Sequence, residues 1–277
     1  MFVRCRSVRY VRGVRRFSSL EDFLVASPLT VNERFEHSNG EASYPVKGRE
    51  IDATVVFADM TGFTARSREL SPVQTLILVN NFVTWLTDWA VESTTAIIDK
   101  YIGDELMLVF SKEFGSEDSF AEAIATGRWM GQNDLQAFML HLGLASGPVV
   151  VGYTGTPLKY EASVFGRPVA LAARCAKEKP PTDEATGGFW GATVTFPADE
   201  WGDDRVLEEL VSKDLAHLES EWRLLDPRLA DFGGLGDTKV RDLVRDGFWR
   251  PFLSPEEHAR QEEAKMRTHS TRYEPRD

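Results

Sequence analysis

The chain has 277 residues, 42% of them hydrophobic, and a formal net charge of −11. Its length and apolar content suffice for one large domain, or one domain with extensions, and the acidic balance argues against general affinity for nucleic acid or anionic membrane. Two distant cysteines, Cys5 and Cys175, and five scattered histidines support neither a disulfide framework nor a zinc site. No apolar run reaches membrane-spanning length, so the expected location is the cytoplasm.

In chain order, Arg4, Arg6, Arg9, Arg12, Arg15 and Arg16 precede the first acid, Glu21. This start reads as a targeting peptide, an arm for an anionic partner, or a basic segment packed on the acidic body; the last is adopted here. Residues 36–50 are rich in turn formers and read as a linker, so 1–45 is set apart from a main domain at 46–252 with its core at 50–180. Thr54–Phe57 reads as a strand that delivers Asp59 into a turn containing Gly62. Ser71-Pro72 opens a helix whose apolar residues recur at helical spacing. Ile97–Phe110 is two short apolar runs around Gly103-Asp104, a β-hairpin pattern. A second helix is expected over Glu117–Ala137, then a strand from Phe138 to Leu144. Ser146-Gly147-Pro148 reads as a turn into another strand, Val149–Gly155. Tyr160–Phe165 is extended, and Gly166–Ala176 is a helix carrying Arg174. Beyond Lys177 come strands near 192–196, 222–225 and 239–244, with a helix after the first. A polar tail fills 253–277. Strands alternating with helices predict a mixed α/β sheet domain with helices on one or both faces.

Two carboxylates, Asp59 and Asp104, thus lie at strand ends beside glycine turns. Either segment alone reads as an ordinary turn aspartate. Held together they repel unless a cation lies between them. Hard ions such as Mg²⁺ or Mn²⁺ take one or two protein carboxylates and complete their shell with water and substrate phosphate. The pattern points to metal-dependent chemistry on a nucleoside triphosphate.

These residues resemble the class III nucleotidyl cyclase catalytic domain. Phe57-Ala-Asp59-Met60-Thr61-Gly62-Phe63-Thr64 is similar to that family's first metal motif, and Lys100-Tyr-Ile-Gly-Asp104 to its second. Gly143–Gly152 is similar to its central strand–turn–strand, and Phe165–Arg174 to the helix bearing its transition-state arginine. The resemblance implies a mainly antiparallel sheet with flanking helices around a ferredoxin-like core. It implies in-line attack of the ribose 3′-hydroxyl on the α-phosphate, with two Mn²⁺ or Mg²⁺ ions per site held by Asp59, the Met60 carbonyl and Asp104. Arg174 would be the catalytic arginine. Backbone amides of Thr61, Gly62, Phe63 and Thr64 would cradle the terminal phosphates, with Arg241 or Lys239 as a further phosphate ligand. Lys100 and Ser163 would read the base. A homodimer with two interfacial sites is implied, the carboxylates coming from one protomer and the arginine and base-reading residues from the other.

The chain departs from purine-reading members at these positions. Lys100 cannot accept from guanine, Ser163 donates or accepts, and Ala170, where a ribose-contacting Asn is usual, offers no hydrogen bond. In this it is similar to the Pycsar pyrimidine cyclases of bacterial phage defence. Phe57 and Tyr101 would fill the space that a smaller base leaves. The expected reaction is UTP to 3′,5′-cyclic UMP and pyrophosphate, with CTP next. The alternatives are an adenylate cyclase and a catalytically degenerate binding or dimerisation module.

Overall fold

The fold is built around one long strand with apolar residues on both faces. In the computed structural model, which describes residues 14–34, 45–132, 139–156, 159–180, 190–199 and 222–246, strand β2 runs from Pro45 to Met60. It pairs antiparallel with β4 (Glu105–Phe110) on one side and β5 (Leu140–Thr156) on the other. Between Thr54 and Asp59 every residue has a partner on both sides. A strand covered on both faces reads as a continuous apolar run, and Ala53–Ala58 is such a run.

Successive side chains of β2 point to opposite faces, and each face has its own helices. Val56, Ala58 and Met60 join Leu78, Phe82 and Leu86 of α3 (Pro72–Ser93) and Phe120, Ala123, Ile124 and Met130 of α4 (Ser119–Gln132). Val55 and Phe57 join Leu20, Phe23 and Leu24 of α1 (Leu20–Ala26) and Leu171, Ala172, Cys175 and Ala176 of α5 (Arg167–Lys177). Ser71 caps α3 through a reciprocal pair with Gln74, with Pro72 in the first turn, as the sequence predicts.

The ten-stranded sheet has a main path β3-β4-β2-β5-β7-β10-β8. Here β3 is Ile97–Ile102, β7 Trp190–Pro197, β8 Trp222–Leu224 and β10 Gly236–Asp246. Three strands branch from it: β1 (Val31–Arg34) pairs with β2, β6 (Lys159–Phe165) with β5, and β9 (Arg228–Phe232) with β10. Among the described residues only β5 and β7 pair in parallel; the other pairings are antiparallel.

Several expectations change. Residues 45–50 of the linker read at 36–50 are strand, since β2 begins at Pro45, and 36–44 lie outside the described residues. Ser146-Gly147-Pro148 does not turn the chain: β5 passes through it, with Gly147 at φ +143 paired to Ala53. The second helix begins at Ser119 rather than Glu117. The arginines up to Arg12, the helix after Phe196 and the tail from Ser254 lie outside the described residues. The last part of the basic arm packs on the body: Arg15 donates to the Thr94 carbonyl at 3.2 Å, the Arg16 amide to Phe114 at 3.0 Å, and Phe17, Phe23 and Phe114 form edge-to-face contacts.

The seat of α5 depends on Gly143. A Cβ there would lie 2.1 Å from both the Ala172 carbonyl oxygen and the Ala176 amide nitrogen. The helix therefore rests backbone-to-backbone on β5. Its C-terminal end is tied to the sheet by Arg228, which contacts Glu178 and the fully buried Asp242, each at 2.6 Å. Gly143→Val is expected to cost about 3 kcal/mol or more, because the obstacles are backbone atoms that cannot rotate away. Urea denaturation checks this; an unchanged midpoint would contradict the packing.

Candidate active site

Asp59 continues the α5-side alternation of β2 and lies opposite Glu105 on β4 and His141 on β5. Asp104 occupies the β3–β4 turn, which closes through Gly103 at φ +65, a conformation glycine adopts without strain. The turn places the Asp104 carboxyl close enough to Asp59 for the two to interact. Burial first, and the Asp104 charge second, push the Asp59 carboxyl up to about 7; burial also raises Asp104. Glu105 adds a third negative charge. Lys177, near the end of α5, offsets it, with its ammonium 3.1 Å from Glu105.

Two neighbouring carboxyls in a partly buried corner form an oxygen-only site. Among the described residues no group of three or more His, Cys, Asp or Glu is assembled for a metal. A soft or closed-shell structural metal therefore has no ligand set here. A hard divalent cation, which takes one or two carboxylates and completes its shell with water and phosphate oxygen, fits the pair. Met60 is buried at the end of β2 directly after Asp59.

A second cluster lies on β3 and β6. Lys100 Nζ is 2.6 Å from Ser163 Oγ and 3.2 Å from Asp99 Oδ2, and the Ser163 hydroxyl donates to the same Asp99 oxygen at 3.0 Å. Both residues expected to read a base thus come together within one chain, and a third residue holds them. The β3–β4 register shifts between Ile98 and Lys100, and Asp99 is the extra residue at that bulge. Its side chain is fully enclosed, and burial raises its pKa while Lys100 and Ser163 pull it back. On the adjoining residue, the Ala162 amide donates to Glu21 of α1 at 3.2 Å.

The remaining candidates divide by exposure. Arg174 is exposed on α5, on the face opposite the buried Leu171, Ala172 and Cys175, and Ala170 lies one turn before it on the same exposed face. Phe57 is a core side chain, 4% exposed, whereas Tyr101 is 51% exposed. Of the expected phosphate cradle, the Thr61 amide is already bonded to the Met139 carbonyl at 2.9 Å. Gly62 precedes the short helix α2 (Phe63–Ser67) and no side chain caps it, so first-turn amides at Phe63 and Thr64 have no intrahelical acceptor. Arg241 is 7% exposed, and its Nε donates to the Leu225 carbonyl at 3.3 Å. Lys239, two residues earlier, is exposed, so it is the one of the two basic candidates open to a ligand.

Sequence reasoning did not find Asp99, Glu105 or Lys177. Asp99 looks like an ordinary alternating strand residue, because its bulge carries no glycine or proline. Lys177 could have been found from its i, i+3 spacing to Arg174, which puts both on neighbouring parts of one helix face.

With this geometry in place, comparison with known proteins is specific. Residues 46–180 match the adenylate and guanylate cyclase catalytic domain. An adenylate cyclase of Anabaena cylindrica is 26% identical over 133 residues, 44% of this chain and 26% of that protein. An uncharacterised protein of Mycobacterium tuberculosis is 29% identical over 130 residues, 46% of this chain and 23% of that protein. The chain spans about a quarter of the length of these curated relatives. Among solved structures, the guanylate cyclase domain of RhGC from Catenaria anguillulae, in complex with GTP, gives a TM-score of 0.53 at 18% identity, covering 72% of this chain and 100% of that one. The catalytic core of a rhodopsin-guanylyl cyclase with converted specificity, in complex with ATPαS, gives 0.52 at 19%, covering 72% and 98%. The mainly antiparallel sheet with helices on both faces is the fold those structures share. Residues 46–180 of this chain are a class III adenylate and guanylate cyclase catalytic domain.

Proposed function

We propose that the chain is a metal-dependent nucleotidyl cyclase that converts UTP to 3′,5′-cyclic UMP and pyrophosphate. The observation that carries the cyclase reading is the Asp59–Asp104 pair, two neighbouring carboxyls whose pKa values burial raises, at the end of the strand that is central to the sheet. Its proposed ligands are Asp59, Asp104 and the Met60 carbonyl, for two Mn²⁺ or Mg²⁺ ions. When bound, these ions would neutralise the pair and make the 3′-hydroxyl more acidic. In the reaction the 3′-oxygen bonds to the α-phosphorus, the bond to the bridging α–β oxygen breaks, and the hydroxyl proton passes to solvent. The first-turn amides of Phe63 and Thr64, with Lys239, are proposed to hold the terminal phosphates. Arg174, exposed and permanently charged, neutralises the growing charge on the α-phosphate. Lys100 donates to a base carbonyl, which favours uracil. Ala170 makes no ribose hydrogen bond.

The domain is proposed to extend through 252, beyond the matched residues, because β7, β8 and β10 continue the same sheet. We assign a homodimer, in which Arg174 and Lys100 of one protomer complete the carboxylate site of its partner. The guanylyl cyclase domain of the RhoGC fusion protein from Blastocladiella emersonii is described as a non-canonical dimer, which supports self-association of such a domain but not this arrangement of it. Among the described residues no helix is long and apolar enough to cross a membrane. By its resemblance to pyrimidine cyclases, the product is a messenger in bacterial anti-phage defence. The Anabaena cylindrica relative favours ATP as a second reading.

Three measurements check these statements. Mn²⁺ is expected to raise the Tm of the wild-type protein. Asp104→Asn is expected to stabilise the metal-free protein by about 1 kcal/mol, by relieving like-charge repulsion, and to abolish the Mn²⁺ shift; an unchanged shift would remove Asp104 from the site. Incubation with each of the four ribonucleoside triphosphates and Mn²⁺, with products identified by mass, is expected to yield cyclic UMP. Cyclic AMP alone would establish the second reading. Asp59→Ala and Arg174→Ala are each expected to lower kcat at least about a hundredfold. Mixing the two inactive variants should restore about a quarter of wild-type activity through heterodimers with one intact site; no recovery would place both groups in the same protomer's site.

A further inference from the structure

Asp99 is a buried charged side chain on which the proposed base-reading pair converges, and nothing in the reaction itself uses it. Its Oδ2 atom accepts from both the Ser163 hydroxyl and the Lys100 ammonium, while Oδ1 is buried with no hydrogen-bond partner. The consequence follows from counting donors and acceptors. The single Ser163 proton is directed at Asp99, and one Ser163 lone pair faces Lys100 at 2.6 Å. Ser163 is 3% exposed and the Asp99 side chain is fully enclosed, so neither presents an acceptor to the surface. Lys100 is different: its side chain is 42% exposed and has three N–H donors, two of which are engaged inside the cluster. What the cluster shows to a ligand is one charged donor and no acceptor.

We propose that Asp99 is a specificity-determining positioning residue: by holding the Ser163 proton and the Lys100 ammonium it makes a donor-only surface, which accepts a base that turns a carbonyl toward it and rejects one that turns an exocyclic amine toward it. Uracil fits this surface through its 4-carbonyl oxygen. Cytosine carries an amine at that position, as adenine does at its 6-position, and would bury it facing a cation with no acceptor, the arrangement that gives large discrimination in hydrogen-bonding sites. The inference rests on the cyclase reading above and concerns the base contact of that same site. Phosphate binding and ring closure do not depend on it.

The test compares kcat/KM for UTP, CTP and the triphosphate of the pyrimidin-2-one riboside, which is cytidine without its amino group. On the wild-type protein the pyrimidin-2-one nucleotide is expected to be used at least tenfold better than CTP, since the amine is worse than a hydrogen at that position. In Asp99→Ala the acceptor of the Ser163 proton and the carboxylate facing the Lys100 ammonium are both removed. The preference for UTP over CTP is then expected to fall at least tenfold, while the Mn²⁺-induced Tm shift persists. A folded Asp99→Ala protein with an unchanged UTP-to-CTP ratio would overturn the proposal and leave the cyclase reading intact. Wild-type use of CTP equal to or better than the pyrimidin-2-one nucleotide would overturn it without any variant. Absence of cyclisation of every nucleotide by the wild-type protein would overturn the underlying reading as well.

Discussion

The structure turns on two like charges held in contact. Asp59 is fixed because β2 is paired on both sides to its end, and Asp104 because a two-strand hairpin must close through Gly103. Burial first, and the neighbouring Asp104 charge second, push the Asp59 carboxyl up to about 7. A fold that only needed stability would not place Glu105 beside such a pair with Lys177 as its nearest relief. Strain of this kind, maintained by a rigid scaffold, is what a cation-binding site requires before its cation arrives.

The scaffold supplies that rigidity by burying β2 on both faces. One set of helices covers Val56, Ala58 and Met60, the other Val55 and Phe57. The two coverings differ in kind. Helices α3 and α4 pack through large side chains, whereas α5 approaches the backbone of β5 at Gly143. Close approach fixes α5 with little freedom, and the Arg228–Glu178 and Arg228–Asp242 pairs tie down its end. The exposed face of α5, with Ala170 and Arg174, is thereby presented outward from a fixed support, which suits a residue that acts on a partner's substrate.

The proposed base-reading pair depends on the path of the strands as well as on charge. Lys100 belongs to β3, at one edge of the main path, and Ser163 to β6, which branches from β5 beyond β2. Their 2.6 Å contact requires the long strands β2 and β5 to bend until β6 meets β3. The bulge at Asp99 then turns a carboxylate inward where regular alternation would have placed it otherwise. One irregular residue thus decides what the pair offers to a ligand.

Much of this was legible in the sequence and some was not. The hairpin at Gly103-Asp104, the Ser71-Pro72 helix start and the helix bearing Arg174 follow from local signals: turn chemistry, capping and hydrophobic period. Local signals failed where tertiary pairing prevailed. Pro45–Ala53 looks like linker and end of strand but is held in register by β1 and β5, and Ser146-Gly147-Pro148 looks like a turn but is straightened by its pairing with β2. The resemblance makes Arg241 a candidate phosphate ligand, yet its place on β10 buries it against the Leu225 carbonyl. The sequence by itself determined which carboxylates, which arginine and which lysine are candidates, because residue type and spacing are one-dimensional properties. The tertiary structure alone decided that Asp99 joins Lys100 and Ser163 and that Lys177 faces the carboxylate pair, because a bulge and a strand bend are set by contacts between segments far apart in the chain.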